Sequence, residues 1–368
     1  MSAGERPHII FTVTNDLTYD QRMHRICSSL ANSGYQVTLL GRKLKSSLPL
    51  QQKNFHQKRI TCLFNKGFLF YKEYNIRLFF YLLSSKMDCV CAIDLDTILP
   101  NLFVSKLKGI PRVYDAHEYF TELKEVRTRP FIKWFWNKVE RFAVPKFLKG
   151  YTVSEGLVKA FKNNYGVQYH LIRNLPVVVP LADKKKKEKF IVYQGAVNEA
   201  RGFEYLIPAM KTIEYPLVVC GDGNFMQELK TLIKDNGVTS KVVLKGMLLP
   251  QQLREIAQEA TIGIGLAEKE GINQLYALPN KFLEYMHSGL PQVAMNFPEY
   301  RKINDKFRIA VLLDSLDVNN ISNCINELLQ NDSLLEELKE NALKAREIYC
   351  WQNEEKTLIN FYKQLFNE

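Results

Sequence analysis

Short apolar runs alternate with amphipathic stretches along most of the chain. "HIIFTVT" (8–14), "QVTLLG" (36–41), "RITCLF" (59–64), "DCVCAI" (88–93), "PRVYD" (111–115) and "GYTVS" (150–154) have the length and the β-branched and aromatic content of buried strands. Between the first two, Met23, Ile26, Cys27 and Leu30 recur at helical spacing and predict an amphipathic helix over 20–32. Helical patterns separate most of the other runs. Continuous apolar strands joined by helices predict a parallel sheet covered on both faces.

Near "IRNLPVVVPLADKKKKEKF" (172–190) the pattern breaks, and two prolines with a lysine run read as a linker. Strand and helix then alternate again, with strands at 190–195, 216–221, 241–246, 261–266, 291–295 and 309–313. The expectation is an α/β protein of two doubly wound, Rossmann-like domains. A crevice at the carboxyl ends of both sheets is where such folds bind ligands.

Bulk composition narrows the class. The 368 residues are 46% hydrophobic and 24% charged, without a membrane-spanning apolar run or a signal-peptide pattern at the start. Seven cysteines without metal-like spacing point to a reducing compartment, and Cys89 and Cys91 alternate along an apolar strand as buried residues do. The net charge of +11 is uneven: residues 1–180 carry 27 Lys and Arg against 13 Asp and Glu, a balance of +14. That asymmetry points to an anionic partner for the first half, either nucleic acid or a membrane surface.

Candidate chemistry gathers in the second half. In "LYALPNKFLEYMHSGLPQ" (275–292), Pro279 and the apolar spacing of Phe282, Leu283 and Met286 predict a helix start, with Gly289 just past the end. Lys281 falls in its first turn, where the helix dipole disfavours a cation by roughly 0.3–1 kcal/mol. Either its stem reaches solvent, or an anion occupies the helix N-terminus. Glu284, four residues after Asn280, is placed to accept hydrogen bonds from sugar hydroxyls. Phosphate and ribose together mean a nucleotide. Gly221 and Gly223 in "CGDGNF" and Arg201 in "QGAVNEARGFEYL" also follow predicted strands. The amides of residues 222–223 with Arg201 and Lys281 would form a diphosphate cradle.

These stretches, with "FTVTNDLTYDQRMHRI", "YDAHEYF" (114–120) and "IRNLP", resemble the GT-B nucleotide-sugar glycosyltransferases of the large retaining family 4 over nearly the whole chain. The resemblance implies an acceptor-binding domain over 1–175, a nucleotide-sugar-binding domain over 190–350, and a helix in 351–368 that crosses back to the first. It implies transfer with retention, no metal ion and no resident cofactor, the nucleotide-sugar being a substrate. His117 resembles the histidine that contacts the transferred sugar. Arg201 takes the place of the family's diphosphate-binding lysine, and Glu284 matches the second glutamate of its spaced pair. Glu118 is the nearby first-domain carboxylate, read as structural or acceptor-binding.

Two positions depart from the family pattern: Tyr276 stands for the first glutamate, and Ala196 for an arginine. Lys281 is read as supplying the missing cation. Asn273, or backbone groups of 277–280 around Leu278 and Asn280, take over sugar contacts. The first-domain glycine loop is replaced by "TNDLTYDQR", so that Asn15 and Asp16 would approach the donor phosphate or the acceptor. Rival readings are a nucleotide-sugar epimerase of the same fold and a non-catalytic basic binder of nucleic acid or membrane. The aromatic-basic stretch 127–150 has helical apolar spacing and no RNA-binding motif. It reads either as a helix on anionic lipid, with Trp134 and Trp136 near the interface, or as a core helix with snorkelling lysines. A cytoplasmic protein, peripheral on the inner face of the plasma membrane, with a glycan or lipid-linked acceptor fits this set. Oligomeric state, UDP against GDP and the sugar itself stay open.

Overall fold

A computed structural model describes residues 6–181 and 188–367. The chain forms two compact units, one running to Asn174 and resuming at Glu354, the other Leu175–Asn353. Most of the lysine run expected as a linker, 182–187, lies outside the described residues.

Among the described residues, the first unit holds seven parallel strands: β1 His8–Thr12, β2 Gln36–Lys43, β3 His56–Thr61, β4 Cys89–Ile93, β5 Arg112–Ala116, β6 Lys149–Thr152 and β7 His170–Leu171. Their order is β3-β2-β1-β4-β5-β6-β7, which reverses direction at β1 and β4. β3 begins three residues before the apolar run that predicted it, because its pairing with β2 starts at His56 opposite Thr38. β7, two residues long, has no apolar run to announce it. The helix Gln21–Asn32 is capped by Asp20, whose side chain accepts from the Met23 N–H. Tyr362, from the helix Trp351–Phe366, packs its ring 6.1 Å from that of Phe11. The Ser29 hydroxyl donates to Glu355 Oε2 at 2.6 Å, fixing the same helix to this unit.

The aromatic-basic stretch is not one helix. It breaks at Thr128 into Lys124–Arg127 and Pro130–Ala143, and ends in β6. Trp134 is exposed, as an interfacial residue should be, but Trp136 is buried against Phe120 at 4.9 Å between ring centroids. Trp136 is therefore a core residue, since position 136 lies on the buried stripe with Val139, Glu140 and Ala143.

The second unit holds β8 Ile191–Gln194, β9 Leu217–Cys220, β10 Val242–Gly246, β11 Ile262–Gly265, β12 Gln292–Met295 and β13 Ala310–Leu313. All are parallel, in the order β10-β9-β8-β11-β12-β13, so the direction reverses at β8 and β11. Both units thus share the order that opens a ligand crevice above their first strand.

Candidate active site

In the second unit the loops after β8 and β9 are pressed backbone to backbone. Gly221 has φ +149°, and a Cβ there would lie 1.9 Å from the Gly195 carbonyl oxygen. A Cβ on Gly223 would lie 2.2 Å from the Val197 carbonyl oxygen. Only glycine fits either position. Their amides are already used: Gly221 N–H donates to Gly246 O at 2.8 Å, and Gly223 N–H to Asp222 Oδ1 at 2.8 Å. Of the two amides expected in the diphosphate cradle, 222 and 223, that of Gly223 is satisfied within its own loop, and both glycines serve close packing.

Lys281 lies one residue into the helix Asn280–His287. Its Nζ is buried without a hydrogen-bond partner and sits 3.9 Å from the Tyr193 ring centroid. Burial, and then the charge of Arg201, push its pKa well below the usual lysine value. The charge of Arg201 is thus felt at Lys281. Arg201 reaches toward Gln274 Oε1, 3.4 Å away on the helix Gly271–Tyr276. The helix bearing Lys281 is held by Tyr285, whose hydroxyl accepts from Gln194 N–H at 2.9 Å and donates to Val192 O at 3.2 Å. Gly263 makes room for it, since a Cβ there would come within 2.6 Å of the Tyr285 ring.

The remaining second-unit candidates divide. Asn273 and Tyr276 lie on the helix Gly271–Tyr276 and are half-buried, Asn280 is exposed, and Glu284 is half-buried one turn after it. The Leu278 side chain belongs to the hydrophobic core, leaving its backbone for any ligand contact.

In the first unit, Asn15 and Asp16 do not reach outward. Asn15 Oδ1 accepts from Leu17 N–H and its Nδ2 donates to Asp20, while Asp16 accepts from Thr18 N–H and hydroxyl. These local turns hold Leu17 at φ +69°, buried, so both side chains build the loop instead of extending to a ligand.

The polar centre lies at the carboxyl ends of β1, β4 and β5. His117 Nε2 is 3.1 Å from Asp115 Oδ2, and its Nδ1 is 3.7 Å from Asp94 Oδ2. Its backbone N–H donates to Asp94 Oδ1 at 2.9 Å. Behind it, Arg22 donates to Asp115 Oδ1 at 2.9 Å and to Ile172 O at 3.2 Å. Burial opposes charge on His117, but Asp115 and Asp94 outweigh it and push the imidazole up to about 9. Burial lifts Asp94 to about 7 and Asp96 to about 6. Asp115 is held below its usual range because Arg22 and His117 overcome its burial. Asp94 has φ +54°, a strained conformation for a non-glycine residue. Glu118, beside His117, is exposed.

Sequence reasoning missed Arg22, Asp94, Asp96 and Asp115. A signal for one was present: Arg22 precedes Ile26 by four residues and so shares the apolar face of its helix. Tyr193 and Tyr285 gave no signal, being aromatic residues in strand and helix patterns.

Two parallel sheets of this order, each with its polar centre above the carboxyl ends, define a GT-B fold, and solved structures agree. Sucrose-phosphate synthase of Thermosynechococcus elongatus matches with a TM-score of 0.81 at 16% identity, over 98% of this chain and 100% of that one. HepE of Anabaena, solved in complex with UDP-glucose, matches at 0.77 and 12% identity, over 98% and 100%. WaaG, a glycosyltransferase involved in lipopolysaccharide biosynthesis, matches at 0.72 and 15%, over 96% and 99%.

Residues 182–345 match the family model described as Glycosyl transferases group 1. That stretch, less than half of the chain, is similar to this family, and the fold is that of GT-B glycosyltransferase structures. A stretch of 183 residues is 27% identical to an uncharacterized glycosyltransferase of Methanocaldococcus jannaschii, covering 48% of this chain and 45% of that protein. The match thus spans about half of each.

Proposed function

We propose that this protein is a retaining hexosyltransferase that moves a sugar from a UDP- or GDP-sugar to a glycan or lipid-linked acceptor without a metal ion. The observation that carries the reading is Lys281, a buried ammonium with no hydrogen-bond partner, aimed beside Arg201 at the carboxyl end of a doubly wound sheet. Such a group is costly until an anion reaches it. A diphosphate supplies that anion and gains charge as the glycosidic bond breaks, so the two cations stabilise the transition state more than the ground state. Glu284 would accept the ribose hydroxyls, with Asn273, Asn280 and the backbone near Leu278 toward the sugar.

Retention then follows from attack on the face the phosphate leaves. The acceptor oxygen bonds to the anomeric carbon, the carbon–oxygen bond to phosphate breaks, and the acceptor proton passes to the departing phosphate. His117 fits a positioning role, because an imidazole charged below about pH 9 is a poor proton acceptor at neutral pH. HepE, solved with UDP-glucose, supports the donor class. A cytoplasmic location on the inner face of the plasma membrane suits a lipid-linked acceptor. The test is a panel of UDP- and GDP-sugars assayed for hydrolysis and transfer in EDTA, with the product anomer read by NMR. Strict manganese dependence or an inverted product would overturn the reading.

A further inference from the structure

We infer that the outer face of three adjacent helices in the first unit docks on an anionic lipid bilayer. The helices are Gly67–Ser84, Ile98–Lys108 and Pro130–Ala143. Their crossovers all run in one direction across the sheet, from β3 to β4, β4 to β5 and β5 to β6, which puts them side by side on one face. Aromatic contacts join them: Phe68 to Phe135 at 5.8 Å, Tyr71 to Trp136 at 5.5 Å and Phe103 to Phe142 at 6.4 Å.

The helix Gly67–Ser84 is apolar on two opposite sides. Phe70, Tyr74, Leu78 and Leu82 form the buried stripe against the sheet. Leu69, Ile76, Phe80 and Leu83 recur at helical spacing on the far side, all exposed, with Phe80 at 63%. A second apolar stripe opposite the buried one is a surface for a partner or for lipid, even with Lys72, Glu73 and Arg77 between the two. The exposed stripe continues onto the neighbouring helices through Phe103, Leu107, Phe131, Trp134 and Phe142. So extensive an apolar face is rare on a monomer without a partner.

Charge selects the partner. Exposed Lys72, Lys106, Lys108, Lys138 and Arg141 lie on these same helices, while Arg77 is paired with Glu73 at 2.8 Å. Where two of the helices end, Lys86 and Lys108 line a recess together with Arg6, His8 and a single acid, Asp88. Aromatic and aliphatic groups ringed by cations match an anionic headgroup layer over acyl chains. Among the described residues no helix is long and apolar enough to cross a membrane, so the contact is with the surface layer. The sequence reading drew this contact from the charge of residues 1–180 and from the stretch 127–150. The central element is instead the helix Gly67–Ser84, since Lys133 is paired with Glu122 and Trp136 points inward.

The test uses the full chain and vesicles of phosphatidylcholine with or without phosphatidylglycerol, read by co-sedimentation and by Trp134 fluorescence. The wild type should bind only the anionic vesicles, with a blue-shifted emission quenched by brominated lipid. Leu69→Gln, Ile76→Gln and Phe80→Gln together should weaken binding at least tenfold while thermal unfolding is unchanged or rises, because all three side chains face outward. Lys72→Glu, Lys106→Glu and Lys138→Glu together should weaken it by at least about a hundredfold, since loss of each cation near an anionic surface is worth about fivefold and each glutamate adds repulsion. Equal binding to neutral vesicles, no binding to either kind, or unchanged binding in the glutamine variant would overturn the proposal. So would a wild-type dimer that the glutamine variant dissolves, since the face would then belong to a second copy. None of these readouts depends on sugar transfer.

Discussion

Lys281 Nζ stands 3.9 Å over the ring of Tyr193 and has no hydrogen-bond partner. A desolvated cation over an aromatic face gains about 2 kcal/mol, less than the several kcal/mol that burying an ammonium costs. The difference appears as a depressed pKa. Replacing Lys281 by Met should therefore raise the ligand-free melting temperature. It should also weaken UDP or GDP binding by roughly 1.5–3 kcal/mol, the worth of a charge-assisted hydrogen bond. Calorimetry showing unchanged nucleotide affinity would detach Lys281 from the donor site.

The same lysine makes binding depend on pH. Its folded, ligand-free pKa lies below the unfolded value, so in the free protein it sheds its proton at lower pH than an ordinary lysine. A diphosphate favours the charged form and raises that pKa again. Nucleotide binding should take up a proton in the interval between the two values, and affinity should fall as pH rises through it. Calorimetry in buffers of different ionisation enthalpy measures the uptake; equal heats across buffers would mean the ammonium is charged before the ligand arrives.

In the first unit, Arg22→Met should destabilise the fold by about 3–5 kcal/mol, because Asp115 would stay buried without its guanidinium. His117 adds a pH signature. Its folded pKa is raised from 6.5 to about 9, so its contribution is complete below 6.5 and lost as pH rises through about 9. Urea titrations of the wild type and His117→Gln should converge across that window. Parallel curves from pH 6 to 10 would mean the imidazole is not held charged by Asp115 and Asp94.

Gly221→Ala should cost at least about 3 kcal/mol, since it adds backbone strain at φ +149° to an overlap with the Gly195 carbonyl. Nucleotide affinity should fall with it, because the loop carrying Gly195 adjoins Lys281: a Cβ on Gly195 would lie 3.9 Å from Lys281 Cε. Near-wild-type stability would show that the two loops separate easily.

Period and composition were enough for the elements. Among the described residues, twelve of thirteen strands fall on the expected runs, most of them buried on both faces and so apolar throughout, with β3 and β10 half-exposed. The break near 172–190 and the position of Lys281 in a first turn were equally legible, both being local. The tertiary structure decided which groups meet. Arg22 reaches Asp115 across 93 residues only because the strand order sets β5 near the helix after β1. Trp134 and Trp136 look alike in sequence, yet a two-residue step on a helix turns one to solvent and the other into the core. Asn15 and Asp16, outward-looking on paper, close on their own backbone, since short polar side chains bond the nearest free amide. Burial of the Lys281 ammonium is likewise a property of the loops packed around it, and no spacing along the chain encodes it.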